Sequence, residues 1–119
     1  MDEQTFKSRT RLLALEVVRL VESLPRGRTA DVLGRQLLRS GTPVGANYRA
    51  ACRGKSASDV IAKLCIVEEE ADESIYWIEL LVDAGVIAAD RADAIQKEAN
   101  ELLAMTVASI KTMRARKQP

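Results

Sequence analysis

Three groups of side chains in this sequence have types and spacings that could do chemistry. The first is the run Glu68-Glu-Glu-Ala-Asp-Glu73. Carboxylates at i, i+3 or i+4 can hold metal ions inside helical bundles, normally with a Glu-x-x-His partner. The chain has no histidine, and the neighbouring apolar spacing puts Val67, Ala71 and Ser74 inward, so these acids point mostly outward. A solvated or ion-paired face is the expectation, with no metal and no cofactor. The second group is Arg28, Arg35, Arg39, Arg49 and Arg53. On one continuous helix they fall within about 80° of arc. A planar guanidinium fork is a good phosphate binder, and arginines on one face are the electrostatic footprint of RNA or DNA binding. Lys55 follows directly and extends the basic group. The competing expectation is that these arginines pair with the acidic run, in the same or a neighbouring chain. The third group is Cys52 and Cys65. Across a turn near Lys55 they would sit roughly 10 Å out of level, beyond disulfide reach, and they read as reduced packing residues.

Nothing else suggests catalysis. Without histidine the commonest general base is missing. There is no phosphate-binding glycine loop and no nucleophile elbow. The expectation is a protein that is not an enzyme.

The elements that must position these residues are helices. Hydrophobic residues make up 47% of the 119, enough for a core, but aromatics only 3%, which favours helices over a β-sandwich. The first helix is expected over 4–24, with Phe6, Thr10, Leu13, Val17, Leu20 and Leu24 as its seam and Pro25 and Gly27 as its stop. Thr29 is a candidate N-cap for the second, over 29–53, with Leu33, Leu37, Val44, Tyr48 and Ala51 inward. Pro43 lies inside that pattern, so a kinked helix is expected, with a break into two as the alternative. Ser56 and Asp59 form a start signal for the third helix, over 57–84. There Ala57, Val60, Leu64, Val67, Ala71, Ser74, Ile78 and Leu81 keep a heptad spacing, and Gly85 follows as a stop. The fourth, over 89–115, repeats it with Ala92, Ile95, Ala99, Leu102, Thr106, Ser109 and Met113. Four helices on short loops predict one all-α domain, 1–119, an antiparallel up-down-up-down four-helix bundle.

Apolar residues are left over once the seams are filled. Leu15 and Val18 lie roughly 140–200° from Leu13, and Ile66, Trp77 and Leu80 lie far from the Leu64/Val67/Ala71 line. Apolar outer faces on a small bundle point to a partner surface, here a homo-oligomer interface. Charge is divided: residues 1–60 carry 11 Lys and Arg against 6 Asp and Glu, and the remainder 7 against 11. That division suits either pairing between the halves or two faces with different partners. No apolar run approaches the ~18 residues that span a bilayer. Met1-Asp-Glu-Gln-Thr5 lacks a basic stretch leading into an apolar one, so a cytoplasmic location without membrane association is expected.

Several segments together resemble a known family. They are Leu24-Pro25, Gln36-Leu-Leu-Arg-Ser40, Val44-Gly-Ala-Asn-Tyr-Arg-Ala-Ala-Cys-Arg53, Lys55-Ser56, Ile61-Ala-Lys-Leu64, Glu68 to Glu73, Trp77-Ile-Glu-Leu-Leu81 and Ala84-Gly85. The blend, which covers most of residues 6–115, resembles the bacterial four helix bundle protein family, also called the 23S rRNA intervening-sequence protein or S23 family. The resemblance implies a four-helix bundle that assembles into a ring-like homopentamer. A related branch, the accessory variability determinant of diversity-generating retroelements, uses a similar basic pentamer to work with a reverse transcriptase and nucleic acid. By resemblance, Arg35, Arg39, Arg49 and Arg53 are the positions that carry over to nucleic-acid contact. A net charge of +1 departs from the strongly basic accessory proteins. A protein partner docked on the acidic face or on the Trp77 surface is the other expectation.

Overall fold

The computed structural model describes residues 2–117, with Lys117 as backbone only. Its helices are α1 (Glu3–Glu22), α2 (Arg28–Gly41), α3 (Pro43–Cys52), α4 (Ala57–Asp83) and α5 (Ala89–Lys117). Local chemistry explains most of the ends. Asp2 caps α1, its carboxylate accepting from the Thr5 amide at 2.9 Å and the Thr5 hydroxyl at 2.6 Å. Ser56 caps α4 through the Asp59 amide at 3.1 Å, and Asp59 accepts from the Lys55 amide at 3.0 Å. Gly85 follows α4 in the left-handed region at φ +76°, which a side chain would resist. Thr29 does not cap α2. Gly27 holds that position, its carbonyl accepting from the Asp31 amide at 3.0 Å, because the turn at Pro25 and Gly27 already delivers the chain into the helix at Arg28.

The expected single helix over 29–53 is divided at Thr42. Pro43 has no N–H to give to the ladder, and it stands in the first turn of α3, where that loss costs least. Thr42 nonetheless keeps helical backbone, φ −70° and ψ −34°, and its amide and hydroxyl both donate to the Leu38 carbonyl, at 3.2 and 2.6 Å. The hydrogen-bond ladder is broken while the helical phase passes through.

The α2–α3 rod and α5 each pack against both α1 and α4; α1 and α4 occupy opposite corners. Specific contacts set direction. Ser40 meets Ser74 and Asn47 meets Glu70, so residue numbers rise along α2–α3 as they fall along α4. Arg9 meets Glu98 and Arg91 meets Ser23, so α1 and α5 also run antiparallel. The buried set follows the expected seams through most of their length, departs at their ends, and in α4 adds Ile75 beside Ser74. In α4, Ala57 is exposed and Val60 half-buried while Ile61 and Ile75 are buried; in α5, Ile110 is buried while Ser109 and Met113 are only half-buried. A 3.6-residue helix drifts about 20° per heptad against a 3.5-residue repeat, so long seams rotate out of line.

Two glycines set how closely α2–α3 lies on α1. A Cβ at Gly41 would stand 2.8 Å from Val17 Cγ2, and one at Gly45 would stand 3.0 Å from Thr10 Oγ1. Val17 and Thr10 are fully buried. Between α3 and α4, the Glu70 carboxylate accepts from Asn47 Nδ2 at 2.8 Å. Burial pushes the Glu70 carboxyl above the ordinary glutamate value; the Asn47 bond opposes this, and the nearby Glu73 and Glu69 charges add to it.

Two outcomes follow from this packing. Gly41→Ala gains up to about 1 kcal/mol of helix propensity, but overpacking a stiff, buried valine costs about 1–3 kcal/mol. Thermal denaturation should therefore show a lower Tm for the variant. For Glu70, the folded chain holds its proton more tightly than the unfolded chain. Stability contributed by this group therefore falls as pH rises from the ordinary glutamate range through the raised value. Glu70→Gln should melt above the parent at neutral pH, and the gap should shrink on acidification.

Candidate nucleic-acid interface

Arg28, Arg35, Arg39, Arg49, Arg53 and Lys55 are all exposed. The first three stand on α2, Arg49 on α3, Arg53 at its C-cap and Lys55 in the following turn. Because Thr42 stays helical, the division at Pro43 does not turn Arg49 and Arg53 away from Arg28, Arg35 and Arg39. The five share the outer side of one rod, with exposed Val32 and Ala46 between them.

Their charges are uncompensated among the described residues. Among the described residues no carboxylate lies within ion-pair distance of any of the six. Arg9 on α1 is the contrast. Its Nε donates to Glu98 at 2.9 Å, its Nη2 to the other Glu98 oxygen, and Glu101 stands 3.5 Å away. That fork joins α1 to α5 and is spent on the fold. The acidic run is likewise occupied away from the arginines. Glu70 turns toward Asn47, and Glu73 accepts from the Trp77 indole N–H at 3.2 Å. The expected pairing of α2–α3 arginines with this run does not occur within the chain.

The outer apolar residues divide. Val18 and Ile66 are exposed, at 38% and 42%. Leu15, Trp77 and Leu80 are half-buried, the last two packed against the core. All five stand off the seam as their angles require, but a bundle this narrow lets bulky flanking side chains fold back over their neighbours. Larger exposures fall on Leu12 at 52%, Val32 at 51% and Tyr76 at 55%, none of which angular reasoning singled out. Tyr76 stacks edge-on against Trp77, ring centres 5.0 Å apart, so the outer side of α4 presents aromatic surface one turn beyond Glu73.

Cys52 and Cys65 are free, half-buried thiols. Burial pushes the Cys52 thiol up, which keeps it protonated and a poor nucleophile near neutrality. Among the described residues no group of three or more His, Cys, Asp or Glu side chains could hold a metal ion. No described helix is long and apolar enough to cross a membrane.

No curated protein matches the chain. A solved structure from Bacteroides thetaiotaomicron, described as a protein of unknown function from the S23 ribosomal protein family, is 33% identical with a TM-score of 0.86. The match covers 93% of this chain and 99% of that one. The family model for the 23S rRNA-intervening sequence protein matches residues 3–108. With nearly the whole bundle inside that match, the chain belongs to the 23S rRNA-intervening sequence protein family.

Proposed function

We propose that this protein is a non-enzymatic, cytoplasmic homo-oligomer that binds RNA or DNA through the outer side of α2–α3. One observation carries the reading: Arg28, Arg35, Arg39, Arg49 and Arg53 share one exposed face without a carboxylate partner among the described residues. Uncompensated arginines repel one another and are favourable only where anions gather. Each phosphate they neutralise releases counterions, so binding is strongly salt-dependent. One tryptophan, two tyrosines and one phenylalanine give little for bases to stack on, which favours backbone contact over sequence readout.

The corner arrangement supports the assembly. Leu15 and Val18 on α1 and Ile66, Trp77 and Leu80 on α4 lie at opposite corners of the bundle. A contact joining the α1 face of one copy to the α4 face of the next is head-to-tail, the kind that closes into rings. Such a ring leaves α2–α3 uncovered, and the family resemblance suggests five copies.

A second reading has its own observation. Tyr76 at 55% and Ile66 at 42% exposure flank Glu69 and Glu73 on α4, a surface suited to a protein partner with a basic, apolar face. Loss of such a partner in Tyr76→Glu, with nucleic-acid affinity intact, would favour it.

Fluorescence anisotropy with a labelled RNA hairpin tests the first reading. Replacing Arg28, Arg35, Arg39 and Arg53 by serine should flatten the slope of log affinity against log salt by roughly one for every phosphate-binding arginine replaced. Wild-type affinity and slope in that variant would overturn the assignment. Light scattering tests the assembly: a mass near five times the 13.1 kDa chain is expected, and a monomer would refute it.

A further inference from the structure

A groove of about 470 Å³ runs along the outer side of the contact between α1 and α3. Its walls carry Lys7 and Arg11 from α1 and Arg49 from α3, with no carboxylate among the lining residues. Lys7 and Arg11 are four residues apart, so they stand one above the other on α1, and Arg49 faces them across the groove. The space exists because α3 offers Gly45 and Ala46 where larger side chains would fill it. At Gly45 the two helices come close enough that a Cβ would meet Thr10 Oγ1 at 3.0 Å. The floor is therefore backbone and small side chains, and the rim is cationic. Ser8 and Thr42 are also among the groove's lining residues.

The cations are available. Arg11 and Arg49 are exposed, without an ion-pair partner among the described residues. Lys7 is tied only to Glu3, a surface i, i+4 pair at 3.0 Å. Such an exposed pair contributes little and yields readily to a stronger anion. The volume falls within the roughly 300–1,000 Å³ of small-molecule sites.

We propose that the α1–α3 groove binds a phosphate ester, clamped between Lys7 and Arg11 on one wall and Arg49 on the other. The phosphate could come from a free nucleotide or from a nucleic-acid strand crossing from the α2–α3 face. Only Arg49 is shared with that face, so the site stands even where the nucleic-acid reading fails.

The test maps backbone amide resonances of the full chain by NMR, titrated separately with adenosine monophosphate and an unlabelled RNA hairpin. The expected result is movement of the Ser8, Arg11 and Ala46 amides, and affinity weakened at least about tenfold in the Lys7→Ser/Arg11→Ser double variant. Movement with the nucleotide assigns a free-nucleotide site; movement with the hairpin alone assigns a strand phosphate. Two results overturn the proposal: neither ligand moves these amides in the unaltered protein, or the double variant binds both as tightly as the parent. The amide map needs no substitution, so misfolding of a variant cannot mask the answer. Loss of hairpin binding in the Arg28/Arg35/Arg39/Arg53 variant with nucleotide shifts retained would separate the groove from the face.

Discussion

Close approach of the α2–α3 rod to α1 is the constraint on which the rest depends. Gly41 lies over Val17 with no room for a methyl group between, and Gly45 lies over Thr10 with little. As isolated residues, two glycines and a proline within five positions destroy a helix. In the bundle they do something else. Glycine removes the side chains that would hold the rods apart, and proline stands where a helix start tolerates it. Packing against α1 and α4 then restores the alignment that local propensity alone would not keep. The same small residues leave the groove above Gly45 and Ala46 unfilled, so one packing solution creates both the core and a cationic surface feature.

Charge is sorted by the same geometry. Two arginines are engaged by a neighbouring element: Arg9 by Glu98 and Glu101, Arg91 by Ser23. Those on the outer side of α2–α3 have no carboxylate partner among the described residues, Arg49 included, although it borders the groove against α1. Glu70, the member of the acidic run that leans toward α3, meets an amide rather than a guanidinium and is held above the ordinary glutamate range chiefly by burial. The two charged surfaces thus stay separate on adjacent rods instead of cancelling. A near-neutral protein consequently presents one strongly basic face, which net charge conceals.

Legibility in the sequence followed locality. Ser56 with Asp59, Gly85 and the central seam residues from Leu64 to Ile78 are decided within a few positions along the chain, and each was readable from spacing. Thr29 misled because several nearby residues could begin α2, and the tight turn at Pro25 and Gly27 brought the start forward. The seam ends misled because a heptad count ignores rotation, which accumulates over a helix as long as α4. Leu12, Val32 and Tyr76 escaped notice because exposure depends on what stands opposite, and a single helix has nothing opposite it.

By itself, then, the sequence determined the all-helical class, the centres of the inward faces, the arginine spacing and the family, since hydrophobic period, caps and motifs act over one or two turns. Only the tertiary structure decided which arginines are left without partners, which apolar residues fold back over the core, and that Lys7, Arg11 and Arg49 border one groove. Those outcomes turn on distances between residues some forty positions apart, such as Lys7 and Arg49, and packing brings such residues together only after every helix has found its neighbour.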